Sequence, residues 1–551
     1  MRLDFCAAMD YFSANHSEVL MNRLICHAAV LAVVLTGICS THAQSLDQIG
    51  VTLLRSQTTN VNGSDIRVAQ PEANLDGDPS HPSAFEVNPA NVSQSSSRFT
   101  YASSAGLANA YPNLVGTNSW HADIVAGFFY GLSGGVATNV AHVDNFDADY
   151  FINYYVVSNL AVLGDSVVNQ SFAWSLSTNI PTPANYISVS DQRDIDSAYD
   201  DYANTYGTMF VSSVNNGGFV TPPGTAYNSI GVACAGAADS HSSVGPTLDN
   251  GRCKPDLTVP AFSTSSATPC VSGAAAVLMQ AALRGDGGSD TNSAFDMRTI
   301  KALLLNGAVK PADWTNSNSS PLDARYGAGV LNVFNSYKQL AGGKNNSSAT
   351  NFISIGATHL PVVATNFISA TSGWNFQTIS STATNGAVNH YFFNFTNGFI
   401  TATLVWNRQL AETNINNLDL FLFNAANSNL VACSTSRVDN VEHIFLPKLA
   451  AGSYDLQVLK NGGTNVVSNN ETYALAFAFA PTKLNLTRAG TNAVLSWPVY
   501  PAGFCVEATT NLATPMWSTN NFSATLTGST NILIVTMTNA AQFFRLRQPN
   551  F

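Results

Sequence analysis

Residues 263–273 constrain this chain more than any other stretch. They read Ser-Thr-Ser-Ser-Ala-Thr-Pro-Cys-Val-Ser-Gly and continue into the apolar run Ala-Ala-Ala-Val-Leu-Met-Gln. Small residues before an alanine-rich run predict a helix that begins near Ser265 and packs closely on one face. The first N–H groups of a helix lack intrahelical partners, and the helix dipole is positive there. The Ser265 hydroxyl therefore lies where an acyl-transfer nucleophile is favoured, although a packing helix gives the same pattern.

Composition sets broad limits on the class of protein. A chain of 551 residues is too long for one hydrophobic core, so about two to four domains are expected. The charged fraction is 10%, far below the roughly 25% of ordinary soluble domains, and the net charge is -11. Because no cluster of Lys and Arg is present to neutralise phosphates, a nucleic-acid partner is excluded. An acidic, lightly charged chain is typical of a secreted protein.

The N-terminus indicates an export signal. Met-Asn-Arg begins at Met21, an apolar run covers 24–39, and small residues follow up to Ala43. This order predicts that residues 1–43 are a signal peptide cleaved after Ala43, so that the protein is secreted. Acidic residues among 1–20 do not fit a signal, so translation is expected to start at Met21. The apolar run is too short for a membrane span, and no other stretch is long enough for one.

Cysteine usage adds a weaker constraint. Of the eight cysteines, Cys6, Cys26 and Cys39 precede the cleavage site, which leaves five. An odd number cannot pair completely. Cys234 with Cys253 is the one intradomain disulfide considered, and buried reduced cysteine is the interpretation for the others.

The sequence pattern divides the chain into three regions. Short apolar strands alternate with helices over 44–342, which predicts a parallel sheet between helices, with loop material from about 74 to 110. Within it, the acidic stretch 191–201 is interpreted as a solvated helix face. Runs of β-type residues broken by Asn, Gly and Ser predict a β-sandwich or jelly roll over 351–481. A small all-β module is expected over 482–551.

Several segments resemble the subtilisin-like serine peptidases, in the chain order of that family. The segment 263–273 resembles Gly-Thr-Ser-Met-Ala-Thr-Pro-His-Val-Ala-Gly, with Ser265 at the nucleophile position. His121-Ala-Asp-Ile-Val-Ala-Gly is similar to His-Gly-Thr-His-Val-Ala-Gly. Further matches are the triad-acid strand at 65–73, the substrate-binding strand at 167–173, Val-Ser-Ser-Val-Asn at 211–215, Ser-Val-Gly-Pro-Thr at 243–247 and Gly-Arg-Cys-Lys-Pro-Asp-Leu at 251–257.

The resemblance implies a serine endopeptidase with a catalytic triad. His121 would take the proton of Ser265, and a carboxylate at Glu72 would orient the imidazole. Asn215 and the Ser265 N–H would bind the oxyanion. Extended polypeptide would add as a strand along Ser171, Phe172 and Ala173.

Departures from the family pattern bear on activity. Glu72 stands where the family has aspartate, and its extra methylene must be accommodated. Asp76 or Asp78 are alternatives that fit the strand less well. Four further residues differ from the family pattern: Ala122 and Asp123 replace Gly-Thr, and Val214 and Ser263 each replace a glycine. Their side chains need space that the family leaves open, so the local backbone is expected to differ. The sedolisins also use glutamate, but they lack the histidine base, so we reject that family.

The rival from another class is an inactive relative that binds protein or surface glycan without cleaving it. The stretch 45–64 leaves no room for the prodomain that these peptidases commonly carry.

Cofactors and partners follow from the same resemblance. The reaction requires no cofactor, and the partners are protein or peptide substrates of a monomeric enzyme. Structural calcium is an expectation for the β-sandwich, with Asp419 and Asp439 as ligands. Asp76, Asp78 and His81 are interpreted as a solvated turn rather than a metal site.

Overall fold

The computed structural model describes residues 46–74, 83–183, 186–357, 363–480, 483–519, 523–537 and 541–547. The predicted signal peptide lies outside the described residues, as do Asp76, Asp78 and His81. The strands of the first domain are β1 (Arg67–Glu72), β2 (Ala84–Glu86), β3 (Phe99–Ser103), β4 (Gly106–Ala108), β5 (Thr117–Asn118), β6 (His142–Asp147), β7 (Val167–Gln170), β8 (Met209–Ser213), β9 (Ile230–His241) and β10 (Leu257–Ser263).

Eight of these strands form one sheet, in the order β10-β9-β8-β7-β1-β6-β3-β4. All neighbours are parallel except β3 and β4, and β2 pairs separately with β5. The prediction of a parallel α/β sheet is confirmed. Because the strands are parallel, the carboxyl ends of β1, β8 and β10 lie at one edge of the sheet, and these are the strands that lead into the predicted site.

Helices cover this sheet. They are α1 (Val51–Gln57), α2 (Trp120–Phe129), α3 (Ala148–Phe151) with a π-helical continuation (Ile152–Val157), α4 (Val189–Tyr206), α5 (Thr264–Leu283), α6 (Thr291–Phe295), α7 (Met297–Asn306) and α8 (Val333–Ala341). Helix α5 is the central one, with most of its residues buried. A Cβ added to Gly273 would lie 2.6 Å from Cβ of Val136, so its small residues allow close packing, as predicted.

Two sequence predictions in this domain are wrong. The stretch expected as loop contains β3, whose Phe99 and Tyr101 are buried and which pairs with β6. The acidic stretch 191–201 lies in α4, but Asp196 and Asp200 are buried rather than solvated. Each is paired with an arginine from elsewhere in the chain, Asp196 with Arg252 and Asp200 with Arg408. Burial raises the pKa of Asp196 to about 7 despite its arginine.

Everything described beyond residue 348 is β-structure, as predicted. The strands are β11 (Ala349–Ser354), β12 (Ser372–Ser380), β13 (Asn385–Phe395), β14 (Gly398–Trp406), β15 (Leu418–Asn424), β16 (Leu430–Ser434), β17 (Val441–Leu449), β18 (Gly452–Lys460), β19 (Asn470–Ala480), β20 (Asn485–Ala489), β21 (Asn492–Pro498), β22 (Cys505–Thr509), β23 (Thr525–Thr527), β24 (Thr530–Thr536) and β25 (Phe543–Arg547). Strands β11 to β19 form antiparallel sheets of five and four strands, and β20 to β25 form sheets of four and two.

Polar contacts join the β-sandwich to the first domain. Asn306 Oδ1 on α7 accepts hydrogen bonds from Thr401 and Thr403 of β14, both at 2.9 Å. Arg408 reaches Asp200 of α4 at 2.9 Å, and Asp439 Oδ1 accepts from the N–H of Cys253 at 2.6 Å. The segment 251–257, one of those that carry the resemblance, is therefore held by the sandwich.

Two further findings concern the cysteines and the apolar helices. Cys253 is a reduced thiol, so the Cys234–Cys253 disulfide is not formed. Among the described residues, only α5 is as long and apolar as a membrane span, and 89% of its most apolar window is buried inside the protein.

Candidate active site

A buried carboxylate and an imidazole form the centre of the site. Glu72 ends strand β1 and is 1% exposed, and His121 is the second residue of α2. The Nδ1 of His121 lies 2.7 Å from Oε2 of Glu72, which identifies Nδ1 as the protonated nitrogen donating to the carboxylate. The longer glutamate side chain thus reaches the imidazole. Nε2 is left to act as an acceptor.

The buried side chains of Gln70 and Tyr130 hold Glu72 in place through hydrogen bonds. Gln70, two residues earlier on β1, donates from Nε2 to Oε1 of Glu72 at 2.9 Å and to the carbonyl of Ala122 at 3.0 Å. Tyr130 donates its hydroxyl to Oε1 of Gln70 at 2.6 Å, which fixes the orientation of the amide. Burial raises the pKa of Tyr130 well above its usual value, so the phenol stays a donor. Both carboxylate oxygens of Glu72 therefore accept a hydrogen bond.

Ser265 is the second residue of α5, as the sequence indicated. Pro269 lies four residues later and has no N–H to donate to the Ser265 carbonyl. Ser171 supplies the missing donor, because its hydroxyl bonds to that carbonyl at 3.1 Å. In return, the Ser265 hydroxyl donates to the carbonyl of Ser171 at 3.2 Å. The nucleophile predicted from the sequence is thus bonded to the predicted substrate strand and not to His121.

Two consecutive asparagines follow β8 at the same edge of the sheet. Asn215 has φ of 88°, in the left-handed region that asparagine tolerates better than most residues. Its Oδ1 accepts from the N–H of Asn216 at 2.7 Å. Oδ1 of Asn216 accepts from both the N–H and the hydroxyl of Thr264, at 2.9 Å each. Because Thr264 precedes Ser265 directly, Asn216 is the asparagine that is bonded to the nucleophile segment.

From the sequence, Asn215 was named and Asn216 was not. The pair Asn215-Asn216 before Gly217-Gly218 allows the family's single asparagine to be aligned at either position. The doubled asparagine was the available signal, but only the contact with Thr264 distinguishes the two residues.

Two of the departures from the family pattern, Val214 and Asp123, have local explanations. Val214 is fully buried, and a Cβ at Gly224 or Gly231 would lie 3.0 or 2.9 Å from its Cγ1, so these glycines make room for the valine. Asp123 is engaged by a neighbouring loop. Its carboxylate accepts from Asn88 N at 2.8 Å and Asn91 Nδ2 at 2.6 Å, which ties a neighbouring loop to α2.

The predicted substrate strand differs in exposure along its length. Ser171 and Phe172 are buried, and the Phe172 ring packs against Trp174 in the core. Ala173 is half-buried. Residues 171–173 lie just beyond the end of β7 at Gln170, and the Phe172 side chain anchors them to the core.

A calcium ion does not fit the two aspartates expected to bind it. Within the described residues, no three His, Cys, Asp or Glu side chains are grouped to hold a metal. Asp419 accepts from the amides of Asn417 and Asn461, and Asp439 from Cys253 N and the Ser436 hydroxyl. Protein donors already occupy both carboxylates, and no catalytic step is assigned to a metal.

Taken together, the residues form the parts needed to activate a hydroxyl. The Glu72–His121 pair leaves Nε2 free to accept a proton, and Ser265 lies at the helix terminus at the same edge of the sheet. The positive end of the helix dipole at that terminus favours an anion.

Most of the first domain matches the model of a known protein family. Residues 28–329 match the model of the subtilase family. Among solved structures, tripeptidyl peptidase 2 is 12% identical with a TM-score of 0.29, covering 72% of this chain and 48% of that one. The adhesin domain of Epf from Streptococcus pyogenes is 10% identical with a TM-score of 0.17, covering 32% and 72%. At these TM-scores neither likeness supports an argument.

The chain spans about half the length of the tripeptidyl peptidase 2 chain. No curated protein matches the sequence. The family match, in contrast, covers more than half of the 551 residues, and the chain therefore belongs to the subtilase family of serine-type peptidases.

Proposed function

We propose that this protein is a secreted serine endopeptidase that cleaves extended polypeptide with a triad of Glu72, His121 and Ser265. The observation that carries the proposal is the 2.7 Å hydrogen bond between His121 Nδ1 and the buried carboxylate of Glu72. A carboxylate in this position fixes the imidazole tautomer and stabilises the imidazolium that forms during reaction. Secretion is supported by the signal peptide that the sequence predicts over 1–43. No cofactor takes part.

Each residue has a defined step in this mechanism. The Ser265 hydroxyl gives its proton to Nε2 of His121 as Oγ attacks the substrate carbonyl, forming a tetrahedral intermediate. The imidazolium then protonates the leaving amine, and the acyl group stays on Ser265. Water attacks the acyl-enzyme, with His121 as base, and releases the acid. Before the first step, the hydroxyl must leave the carbonyl of Ser171.

The oxyanion of the intermediate needs a side-chain donor besides the Ser265 N–H. Asn215 was predicted for this role. We propose Asn216 as the better candidate, because its Oδ1 is held by two donors of Thr264 and its Nδ2 remains to donate. The Oδ1 of Asn215 is held by Asn216 and not by the nucleophile segment.

A fluorophosphonate probe tests the triad directly, because it reacts with an activated serine. Wild type should be labelled, and the variants Ser265→Ala and His121→Ala should not. Glu72→Gln should keep its fold and be labelled at least about 100-fold more slowly, because the carboxylate that fixes the imidazole is lost. If folded wild type is not labelled, the enzyme proposal fails and the inactive binding protein becomes the better account.

A matched pair of substitutions tests the oxyanion donor. Asn216→Ala should lower kcat by about 100-fold or more, in line with the loss of one oxyanion donor. Asn215→Ala should change kcat less. KM and the circular dichroism spectrum serve as controls for binding and folding. The reverse ranking of the two variants would return the role to Asn215.

A further inference from the structure

A cavity opens on the face of the eight-stranded sheet that lies away from the candidate active site. Its volume is about 500 Å³, within the range of about 300–1,000 Å³ that small-molecule sites span. Side chains alternate between the two faces of a strand, so Gln70 and Glu72 of β1 face α2, whereas Arg67 faces the other way. Asp144 of β6 lines the cavity and lies 2.6 Å from Arg67, which places it on that second face. The cavity is thus separate from the proposed triad.

The residues of three elements leave this space open. Ala102 of β3 lies in register between Phe146 of β6 and Leu107 of β4, and its single methyl group covers little of the sheet. Helix α3 packs over β3 and β6 and continues as a π-helix over Ile152–Val157. π-Helical turns are rare and are found often at functional sites. The cavity therefore lies between a thinly covered sheet edge and an unusual helical turn.

Aromatic rings form one wall of the cavity. Tyr150, Tyr154 and Tyr155 line it from α3 and the π-helical turn. The rings of Tyr150 and Tyr154 are stacked, with centroids 5.2 Å apart and planes at 15°. Tyr155 meets Tyr154 edge to face at 5.1 Å and packs on Phe146 at 5.4 Å. These contacts hold the three tyrosines as one continuous aromatic surface.

Hydroxyl groups supply the polar part of the lining. Thr100, Ser103 and Ser104 line the cavity from β3 and the turn that follows it. Thr100 Oγ1 is held by Nε2 of His142 at 2.8 Å. Within the part of the chain that the structure describes, the hydroxyls of Ser104 and of the three tyrosines have no hydrogen-bond partner. These hydroxyls can therefore donate to a ligand and accept from it.

Electrical charge in this cavity is balanced by the protein itself. Among the described residues that line it, Asp144 has the only charged side chain, and Arg67 pairs with it. Asp165 is fully buried 3.9 Å from Arg67. Burial and the Asp144 carboxylate raise the pKa of Asp165 well above its usual value, so this carboxyl stays protonated. A charged ligand would therefore find no unpaired charge of opposite sign here.

We call the cavity lined by Tyr150, Tyr154, Tyr155, Ser104 and Asp144 the tyrosine pocket. We propose that the tyrosine pocket binds a neutral saccharide unit of a glycan. A pyranose ring has a face of C–H groups that packs on aromatic rings and a rim of hydroxyls that donate and accept hydrogen bonds. The tyrosine pocket offers both kinds of partner and no unpaired charge. Binding there would hold the protein on a glycoprotein or polysaccharide while its triad remains open to substrate.

Titration calorimetry of the full chain with free saccharides tests the proposal. The probes are cellotriose, maltotriose, mannotriose and xylotriose, which are neutral, and the galacturonate trimer, which is acidic. At least one neutral trisaccharide should bind with a Kd of about 1 mM or lower, and more tightly than the acidic trimer. The double variant Tyr150→Ser, Tyr154→Ser should raise that Kd at least about 10-fold, because the stacked rings are lost. The double variant Tyr150→Phe, Tyr154→Phe keeps the rings and should raise it less.

A cavity-filling variant and a distant aromatic residue serve as controls. Ala102→Leu fills the cavity from the strand side and should weaken binding as strongly as the serine variant, without removing any ring. Trp517 belongs to the C-terminal β-module, where its ring lies 4.2 Å from the guanidinium of Arg545. Trp517→Ser should keep the wild-type Kd. Circular dichroism and thermal unfolding check that each variant is folded.

Four results would overturn the inference. They are no binding of any neutral trisaccharide at about 10 mM, tighter binding of the galacturonate trimer, a Kd that the tyrosine and Ala102 variants leave unchanged, and loss of binding in Trp517→Ser alone. An unstructured peptide that binds wild type and loses affinity in the tyrosine variants would show a protein ligand instead. Fluorophosphonate labelling of Ser265 should be the same in all of these variants, so the peptidase proposal and the saccharide site can fail independently.

Discussion

Gln70 connects the acidic member of the site to the core of the domain. Its amide donates to Glu72 and to the Ala122 carbonyl, and it is itself oriented by Tyr130. Gln70→Leu leaves one oxygen of the buried carboxylate without its donor and frees Glu72 to move. We expect kcat to fall by about 10-fold with little change in KM, because a small displacement of the acid misorients His121.

Tyr130→Phe is the matched control for Gln70, since it removes a contact one step further from Glu72. Its kcat should fall less than that of Gln70→Leu. If both variants lose only thermal stability and kcat is unchanged, the chain of hydrogen bonds has no role in positioning Glu72.

Lys310 gives a prediction about pH. It is buried between the rings of Trp314 and Phe445, and within the described residues no carboxylate pairs with it. Burial lowers its pKa to about 7, whereas the unfolded chain keeps the ordinary value near 10.5. Between these values the unfolded state binds more protons, so this group makes stability rise as pH increases from 7 to 10.

The variant Lys310→Met removes that proton linkage. At pH 7 it should have a higher free energy of unfolding than wild type, because no charge has to be neutralised or buried. The difference should shrink as pH approaches 10. Urea unfolding of both proteins at several pH values measures it, and a constant difference would show that Lys310 is not the titrating group.

At the scale of residues, the sequence predicts which residues belong to the site better than it predicts which residues they contact. Glu72 and His121 were named from motifs, and their hydrogen bond agrees with the roles proposed for them. Asn216 was missed because its distinguishing feature is a bond to Thr264, which is 48 residues away. Because Asn215 and Asn216 are adjacent and identical, motif spacing cannot tell which of them contacts Thr264.

At the scale of elements, helices α2 and α5 offer a test of close packing. Gly273 of α5 faces Val136, and a Cβ there would lie 2.6 Å from the valine Cβ and 3.2 Å from the Phe129 carbonyl. Gly273→Ala should therefore destabilise the protein by about 1–3 kcal/mol, the usual cost of overpacking. Gly127 of α2 has no atom within 4 Å of its would-be Cβ.

Gly127→Ala is the matched control, and it should raise stability by about 0.5–1 kcal/mol because alanine favours helix. Thermal unfolding of the two variants gives the comparison. Equal effects of the same sign would show that packing on α5 is not as tight as described.

Strands and helices with a clear pattern of apolar residues were predicted from the sequence, and those without one were missed or misjudged. Strands β7 (Val-Val-Asn-Gln) and β8 (Met-Phe-Val-Ser-Ser) begin with apolar residues and are buried along their whole length, as strands covered on both faces are. Strand β3 (Phe-Thr-Tyr-Ala-Ser) is short and follows a serine-rich run, so it was counted with the loop, although it pairs with β6 and buries Phe99 and Tyr101. The acidic face of α4 was misjudged because Arg252 and Arg408, which neutralise it, are distant in sequence.

At the scale of the whole molecule, Arg408 joins the β-sandwich to the first domain. Its guanidinium is 4% exposed and reaches Asp200, which is fully buried, at 2.9 Å. Arg408→Met should lower the free energy of unfolding by about 3–5 kcal/mol, because it leaves a buried carboxylate unpaired. Adding Asp200→Asn to this variant should recover part of the loss. Urea unfolding measures all three proteins.

An exposed ion pair is the control for this prediction. Arg325 pairs with Asp313 at 3.2 Å, and both side chains are 60% exposed. Arg325→Met should cost no more than about 1 kcal/mol. A similar loss in both arginine variants would contradict the view that the domain contact is a stabilising part of the fold.

The reciprocal bonds between Ser171 and Ser265 make the nucleophile responsive to its own substrate. Under the proposed mechanism, a polypeptide that pairs along 171–173 offers an N–H to the Ser171 carbonyl and competes with the Ser265 hydroxyl for it. Binding then frees the hydroxyl to turn toward His121. A small ester lacks such an N–H, so the Ser265 hydroxyl must leave the Ser171 carbonyl without help from the substrate. Under this mechanism, peptides that pair along 171–173 react with Ser265 more readily than small acyl donors do.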